Sequence, residues 1–254
     1  VTSANVIQFP APGGRDDAPR VHWNTFADAL RRSWGQGQHI AIIGPTDSGK
    51  TTLAFNVLPL HPYVVIFATK PKDETLTHLI AKNPKKPKAG EYIRLSKWER
   101  LSETKYPRRI LWPDARDLDS QGKQREAFGE AFSIIYRAGG WTLYLDELWF
   151  MTADLGFDHQ VRVFLQQWRS NHGTLVLSSQ RPSRIPVEVY DQSRHLFFSR
   201  DNDERNLSRI SGIAYRSAAL IRDLVANLDP HEFLYVNTRT GYMCRITCPP
   251  LKEG

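Results

Sequence analysis

Residues 44–52 read GPTDSGKTT. Two glycines with four residues between them, followed at once by Lys50 and Thr51, limit what this chain can fold into. Gly44 and Gly49 allow backbone torsions closed to other residues. The loop's N–H groups then turn inward on one point, with a helix N-terminus behind them. That is a cradle for a phosphate chain. In it Lys50 reaches the β- and γ-phosphates and Thr51 offers a hydroxyl to Mg²⁺. The expected nucleotide-binding segment is Gly44, Pro45, Thr46, Asp47, Ser48, Gly49, Lys50, Thr51 and Thr52, and the implied ligands are ATP and Mg²⁺. The flanks agree: HIAIIG (39–44) is a short buried strand, and TTLAFNVL opens a helix.

Further along, short apolar runs alternate with helical patterns. YVVIFA (63–68), residues 109–112, WTLYLDE (141–147), residues 174–178 and HLFFSR (195–200) read as strands. Helices are expected near 24–34, 121–137, 158–170, 203–211 and 214–227. HEFLYVN and GYMCRITC close the chain as a hairpin around Thr238–Gly241. Such alternation gives an α/β fold, a mostly parallel sheet with helices on both faces and a C-terminal β-hairpin. Residues 1–20, rich in Pro, Gly and Asp, read as a flexible arm. Residues 21–254 read as a single P-loop domain, with 81–109 as a basic insert.

Asp146 emerges at the end of a buried strand, where a carboxylate holds Mg²⁺ directly or through water. Glu147 follows, placed to polarise an attacking water as general base. A Glu directly after the Asp favours a hydrolysing motor over a kinase, which must keep water out. The stretch LVLSSQRP (175–182) ends another buried strand in Gln180 and Arg181. Ligands bind at the carboxyl ends of strands in such sheets. Gln180 is therefore expected to touch the attacking water and the γ-phosphate, as a sensor of ATP against ADP. TKPKD (69–73) lacks the Lys-x-Asp spacing of a GTPase and comes too early. There is no LSGGQ-like segment.

In order, GPTDSGKTT, LYLDE, QQWRSNHG, TLVLSSQRPSRIP, HLFFSRDNDERNLSRISG and LDPHEFLYVN resemble the FtsK–HerA superfamily of P-loop DNA translocases, in character closest to viral genome-packaging ATPases. The likeness covers roughly 38–56 and 141–247. Its most specific part is the Gln-Arg-Pro after the strand that follows LYLDE. It implies a RecA-like core in a pentameric or hexameric homo-oligomeric ring, with ATP between subunits. It also implies an arginine reaching into the neighbour's site. Arg169 in QQWRSNHG matches that place, with Trp168 where the family often has glycine. Arg200 is the runner-up and Arg181 the third choice. Such trans guanidinium groups are worth roughly 10³–10⁵ in rate.

The net charge is +7, and residues 82–109 alone hold ten Lys or Arg against three Glu. The rest of the chain is therefore neutral overall. Lys82, Lys85, Lys86 and Lys88, broken by prolines, are the expected DNA contacts, tracking phosphates without reading sequence. Lys97, Arg100, Lys105, Arg108 and Arg109 extend the patch, and FMTADLGFDHQ (150–160) is a second candidate loop for the channel. The expected partners are double-stranded DNA, further copies of the chain and a capsid portal. The alternative is an ATPase for phage assembly, protein secretion or conjugative transfer. Cys244 and Cys248 are about 13 Å apart along one strand face, too far for a disulfide. With no signal-peptide pattern and no apolar run of membrane-spanning length, a cytoplasmic location is expected (host cytoplasm if viral).

Overall fold

Runs such as HIAII and TLVLSS carry apolar side chains on both faces, so their strands need cover above and below. A computed structural model describes residues 18–117, 120–180, 185–211 and 218–251. In chain order the elements are α1 (Trp23–Ser33), β1 (His39–Ile43), α2 (Lys50–Val57), β2 (Val64–Phe67), α3 (Glu74–Leu79), β3 (Ile93–Leu95), β4 (Arg108–Leu111), α4 (Gln121–Ala138) and β5 (Thr142–Leu145). Then come α5 (Asp158–Gln167), β6 (Thr174–Ser179), α6 (Val187–Gln192), β7 (Ser193–Ser199), α7 (Glu204–Ser211), α8 (Ala218–Ala226), β8 (Glu232–Asn237) and β9 (Met243–Thr247).

The strands form one nine-stranded sheet in the order β3-β4-β2-β5-β6-β1-β7-β8-β9. From β3 to β7 the neighbours run parallel. β8 and β9 are antiparallel, the expected terminal hairpin. Strand β6 lies between β1 and β5, with Ile42 beside Ser178 and Leu145 beside Leu177. Alternate side chains divide the core. Ala41, Val65, Leu143 and Leu175 face α4 through α8, where Phe128, Phe164, Val189, Ile210 and Ile221 are buried. Ile40, Val64, Tyr144 and Val176 face α1, α2 and α3 through Phe26, Leu53 and Leu76. Helix α4 buries Phe128, Ala131, Phe132 and Ile135 at helical spacing, and Phe128 stacks on Phe67 at 4.7 Å. Each buried ring of this kind contributes about 1.5–3 kcal/mol.

Three short elements were not expected: α3, β3 and α6. Residues 81–109, read as an insert, contain edge strand β3 and the start of β4. Arg109, expected in the DNA patch, is only 2% exposed. Its guanidinium lies 4.9 Å from the Trp98 ring and 4.8 Å from that of Trp141. It donates to the carbonyls of Tyr106, Glu99 and Leu101. A cation buried against two indoles and three carbonyls is structural and closed to DNA. In the 150–160 loop Met151, Leu155 and Phe157 are buried in the core, while Ala153, Asp154 and Gly156 face out. Cys244 and Cys248 are both free thiols. No helix among the described residues is long and apolar enough to cross a membrane.

Three histidines near the starting ends of the strands are held neutral. His39 Nδ1 accepts from the Leu175 N–H at 3.0 Å, so its Nε2–H donates to the Leu165 carbonyl at 3.1 Å. His61 bonds Thr142 Oγ1 at 2.6 Å and stacks on Trp34. His195 bonds the Tyr235 hydroxyl at 2.8 Å. Burial pushes His39 and His61 down to about 4 and His195 to about 3. The folded state therefore binds fewer protons than the unfolded state, whose imidazoles titrate near 6.5. Stability should be level above about pH 6.5 and fall with pH toward 4, by up to about 1.4 kcal/mol per unit for each histidine. Melting temperature across pH 4–8 checks this; a flat profile between 6.5 and 4.5 contradicts it.

Candidate active site

The site is built where β1, β5 and β6 end. After β1 the chain turns at Gly44, whose N–H donates to the Ser179 carbonyl at 3.1 Å. A Cβ on Gly44 would lie 1.7 Å from Ser199 Oγ and 2.8 Å from Ser199 Cβ, so only glycine passes between β6 and β7. Gly49 takes φ 90° and starts α2, leaving that helix's first N–H groups to the loop. Asp47 is also left-handed, at φ 60°. Thr46, Asp47, Ser48, Gly49, Lys50, Thr51 and Thr52 line a cavity of about 420 Å³. Lys70, Asp146, Glu147, Gln180 and His231 complete its wall. Lys50, Asp146 and Gln180 thus converge on one rim of the sheet. Pro45 lies on the far side of the loop, lining a neighbouring cleft.

A hydrogen-bond chain crosses the mouth of the cavity. Thr46 Oγ1 donates to Gln180 Oε1 at 3.0 Å, and Gln180 Nε2 donates to Glu147 Oε2 at 2.8 Å. Gln180 therefore ties the phosphate loop to the tip of β5. Lys50 is buried and donates to the Pro45 carbonyl at 2.6 Å. Burial lowers its pKa, against the pull of Glu147 and Asp146. Burial raises Glu147, and the adjacent Asp146 adds to the rise; Lys50 and the Gln180 amide oppose it. A carboxylate moved upward by burial gains basicity, which suits a proton acceptor. Both Asp146 oxygens are engaged. Tyr144 donates its hydroxyl to Oδ1 at 2.6 Å, and the Lys70 ammonium lies 3.1 Å from Oδ2.

The sequence reading missed Lys70, Tyr144 and His231. Lys70 stands in TKPKD, the segment set aside for its spacing. Strand β2 ends beside β5, and that pairing brings it to Asp146. His231 stands just before β8 at φ 61°, with Nδ1 3.3 Å from where a Gly49 Cβ would be. Arg169 is remote. A Cβ on Gly37, two residues before β1, would lie 2.6 Å from Arg169 Cγ, so this arginine packs at the opposite rim. Arg200 is at the nucleotide rim, in the cleft shared with Pro45, Asp47 and His231. Arg181 lies outside the described residues. Lys82, Lys85, Lys86 and Lys88 are exposed on a turn-rich segment leading into β3, away from the cavity.

A parallel sheet with a phosphate loop after β1 and a carboxylate pair after β5 defines the P-loop ATPase class of fold. Among solved structures, the DNA-packaging ATPase B204 of Sulfolobus turreted icosahedral virus aligns with a TM-score of 0.59 at 17% identity, over 86% of this chain and 100% of that one. VirB4 of Thermoanaerobacter pseudethanolicus aligns with 0.57 at 13% identity, over 84% and 89%. Thermomonospora curvata EccC, in complex with a signal sequence peptide, gives 0.51 at 13%, over 87% and 39%. No protein-family model and no curated protein matches the sequence. The likeness to these ATPases is therefore one of fold. The close passage at Gly44 makes a local forecast. Gly44→Ala should lower the melting temperature by about 3 °C or more. Adding Ser199→Ala should restore only part of it, because the Ser199 Cβ still clashes. Full tolerance of Gly44→Ala in a thermal melt would contradict this packing.

Proposed function

We propose that the chain is a ring-forming ATPase motor that couples Mg-ATP hydrolysis to movement of double-stranded DNA, in the manner of a viral genome-packaging ATPase. The observation that carries the reading is the Thr46–Gln180–Glu147 chain, which joins phosphate loop, sensor and base across one cavity. In this reading the loop residues 44–52 hold the triphosphate, and Lys50 neutralises its β,γ end. The donor set fits Mg²⁺, which favours hard oxygens and keeps most of its waters. Thr51 and Asp146 would hold it, and the ion would supply charge stabilisation at the γ-phosphoryl. Glu147 takes the proton of the attacking water, and Gln180 orients that water and reports the γ-phosphate to the loop. Arg169 lies at the wrong rim for its own subunit and acts on a neighbour's nucleotide. Arg200, beside the loop in the same subunit, is the competing finger.

The exposed lysines 82, 85, 86 and 88 supply sequence-independent phosphate contacts. With Lys97, Arg100 and Lys105 also exposed, the basic surface survives the loss of Arg109. This charge favours DNA over the alternative, an ATPase for phage assembly, protein secretion or conjugative transfer. The fold alone does not separate the two, since VirB4 and EccC share it. A capsid portal is the proposed docking partner and the host cytoplasm the proposed location.

ATP turnover measured with and without long double-stranded DNA across a salt series tests the motor. Stimulation should be largest at low salt and weaken steeply as salt rises. Replacing the four lysines by alanine should reduce both the stimulation and its salt dependence. Turnover indifferent to DNA at low salt would favour a protein substrate. Glu147→Gln should keep ATP binding and lower turnover at least about a hundredfold. Mixing that protein with Arg169→Ala protein should recover activity, because some interfaces then pair an intact base with an intact finger. No recovery on mixing would transfer the role to Arg200 or to a residue acting in cis.

A further inference from the structure

Lys70 is fixed at its backbone and half exposed along its side chain. Trp112 Nε1 donates to the Lys70 carbonyl at 2.8 Å, and Gln124 Nε2 donates to the Thr69 carbonyl at 2.8 Å. The side chain, 51% exposed, extends into the cavity wall. There its ammonium faces Asp146 Oδ2 at 3.1 Å and Asp73 Oδ2 at 3.8 Å. Asp73 is itself held, since its Oδ1 accepts from the Leu76 N–H at the start of α3. Burial lowers the Lys70 pKa, but Asp146, Asp73 and Glu147 outweigh it and raise the value. The ammonium has two carboxylate anchors on one side and the phosphate cradle on the other.

Each Asp146 oxygen already carries one partner, Tyr144 on Oδ1 and Lys70 on Oδ2. A divalent ion ligated directly by Asp146 at Oδ2 would sit close to the Lys70 ammonium, and the two cations repel. The Tyr144 hydroxyl is fully buried, whereas the Lys70 tip reaches solvent. The Lys70 ammonium is the partner that can leave. A divalent ion would bring twice the charge of the ammonium, which favours it as the partner of Oδ2. The displaced ammonium keeps Asp73 within reach and stays beside Glu147 and Gln180 on the wall of the same cavity. It also borders a side cleft of about 350 Å³, lined in part by Glu147, Gln124 and Phe150, which gives it room to move.

We infer that Lys70 is a built-in counter-cation: it holds Asp146 in the metal-free site and yields that place to Mg²⁺. On release it lies toward the γ-phosphate, as a second lysine opposite Lys50. The inference rests on the Mg-ATP reading above. Its test uses Mn²⁺ as the probe, with free ion followed by electron paramagnetic resonance in the presence of ADP. Lys70→Met should bind Mn²⁺ several-fold more tightly than wild type, because the competitor is gone. Its kcat should fall about tenfold or more, because a cation beside the transferring phosphoryl is lost. Unchanged or weaker Mn²⁺ binding, or an unchanged kcat, overturns the assignment. Weaker binding would mean that Lys70 only positions Asp146. A wild-type chain that takes up neither ADP nor ATP removes the nucleotide reading and this one together. A wild type that binds and hydrolyses, with Lys70→Met matching it, removes Lys70 alone.

Discussion

The placement of β6 between β1 and β5 is the constraint on which the site depends. Parallel strands locked in register bring their carboxyl ends to one rim, and the order decides which tips are neighbours. With β6 in the middle, Gln180 reaches Thr46 on one side and Glu147 on the other. An amide suits that position because it offers a donor and an acceptor on one rigid plane. A carboxylate there would repel Glu147, and an ammonium would compete with Lys50. The question raised by a polar residue at the tip of a buried strand thus has a geometric answer. The strand is buried because it is central, and its tip is polar because it lies between two functional loops.

The charges around the cavity oppose one another before any ligand enters, two lysines against Asp47, Asp146 and Glu147. Lys50 and Lys70 face Asp146 and Glu147, and burial moves Lys50 and Glu147 toward their neutral forms. Low local dielectric makes each of these charges costly alone and effective in pairs. In the proposed Mg-ATP complex the ion would cancel part of the triphosphate's charge, so the complex would disturb the site less than the free nucleotide. This favours binding of the two as one unit. It also explains why Asp146 needs a cation beside it, since the adjacent Glu147 would otherwise repel it at close range.

What was legible in the sequence was the chemistry carried by consecutive residues. The phosphate loop, the Asp146–Glu147 pair and the Gln180 strand tip were each singled out within a few positions, and the structure brings them to one cavity. The long strands and helices were legible because burial imposes a clear period. Elements α3, β3 and α6 were not, being three to six residues long and polar in part. Arg109 was misread because a buried cation and a surface cation look the same in a string of letters; only the flanking indoles of Trp98 and Trp141 distinguish them. Lys70 was missed for a different reason. Its distance from Asp146 is set by the pairing of β2 with β5, and 75 intervening residues carry no trace of that pairing.

Arg169 shows how strongly the sheet separates its two rims. Strand β1 spans about 17 Å at 3.3–3.4 Å per residue. Gly37, against which Arg169 packs, precedes that strand, while the phosphate loop follows it. Arg169 packs at the start of that strand and does not line the cavity at its end. If it acts on ATP at all, it acts on that of another copy, and a hydrolysis cycle would then require contact between subunits. Gly37 sharpens the argument. A side chain at that position would push Arg169 off the rim, so the glycine fixes the direction in which the arginine is presented. The same rim carries His39 and its bond to the Leu165 carbonyl near the end of α5, two residues beyond which the helix ends. The base of the arginine is therefore tied to the sheet at the strand that leads into the phosphate loop.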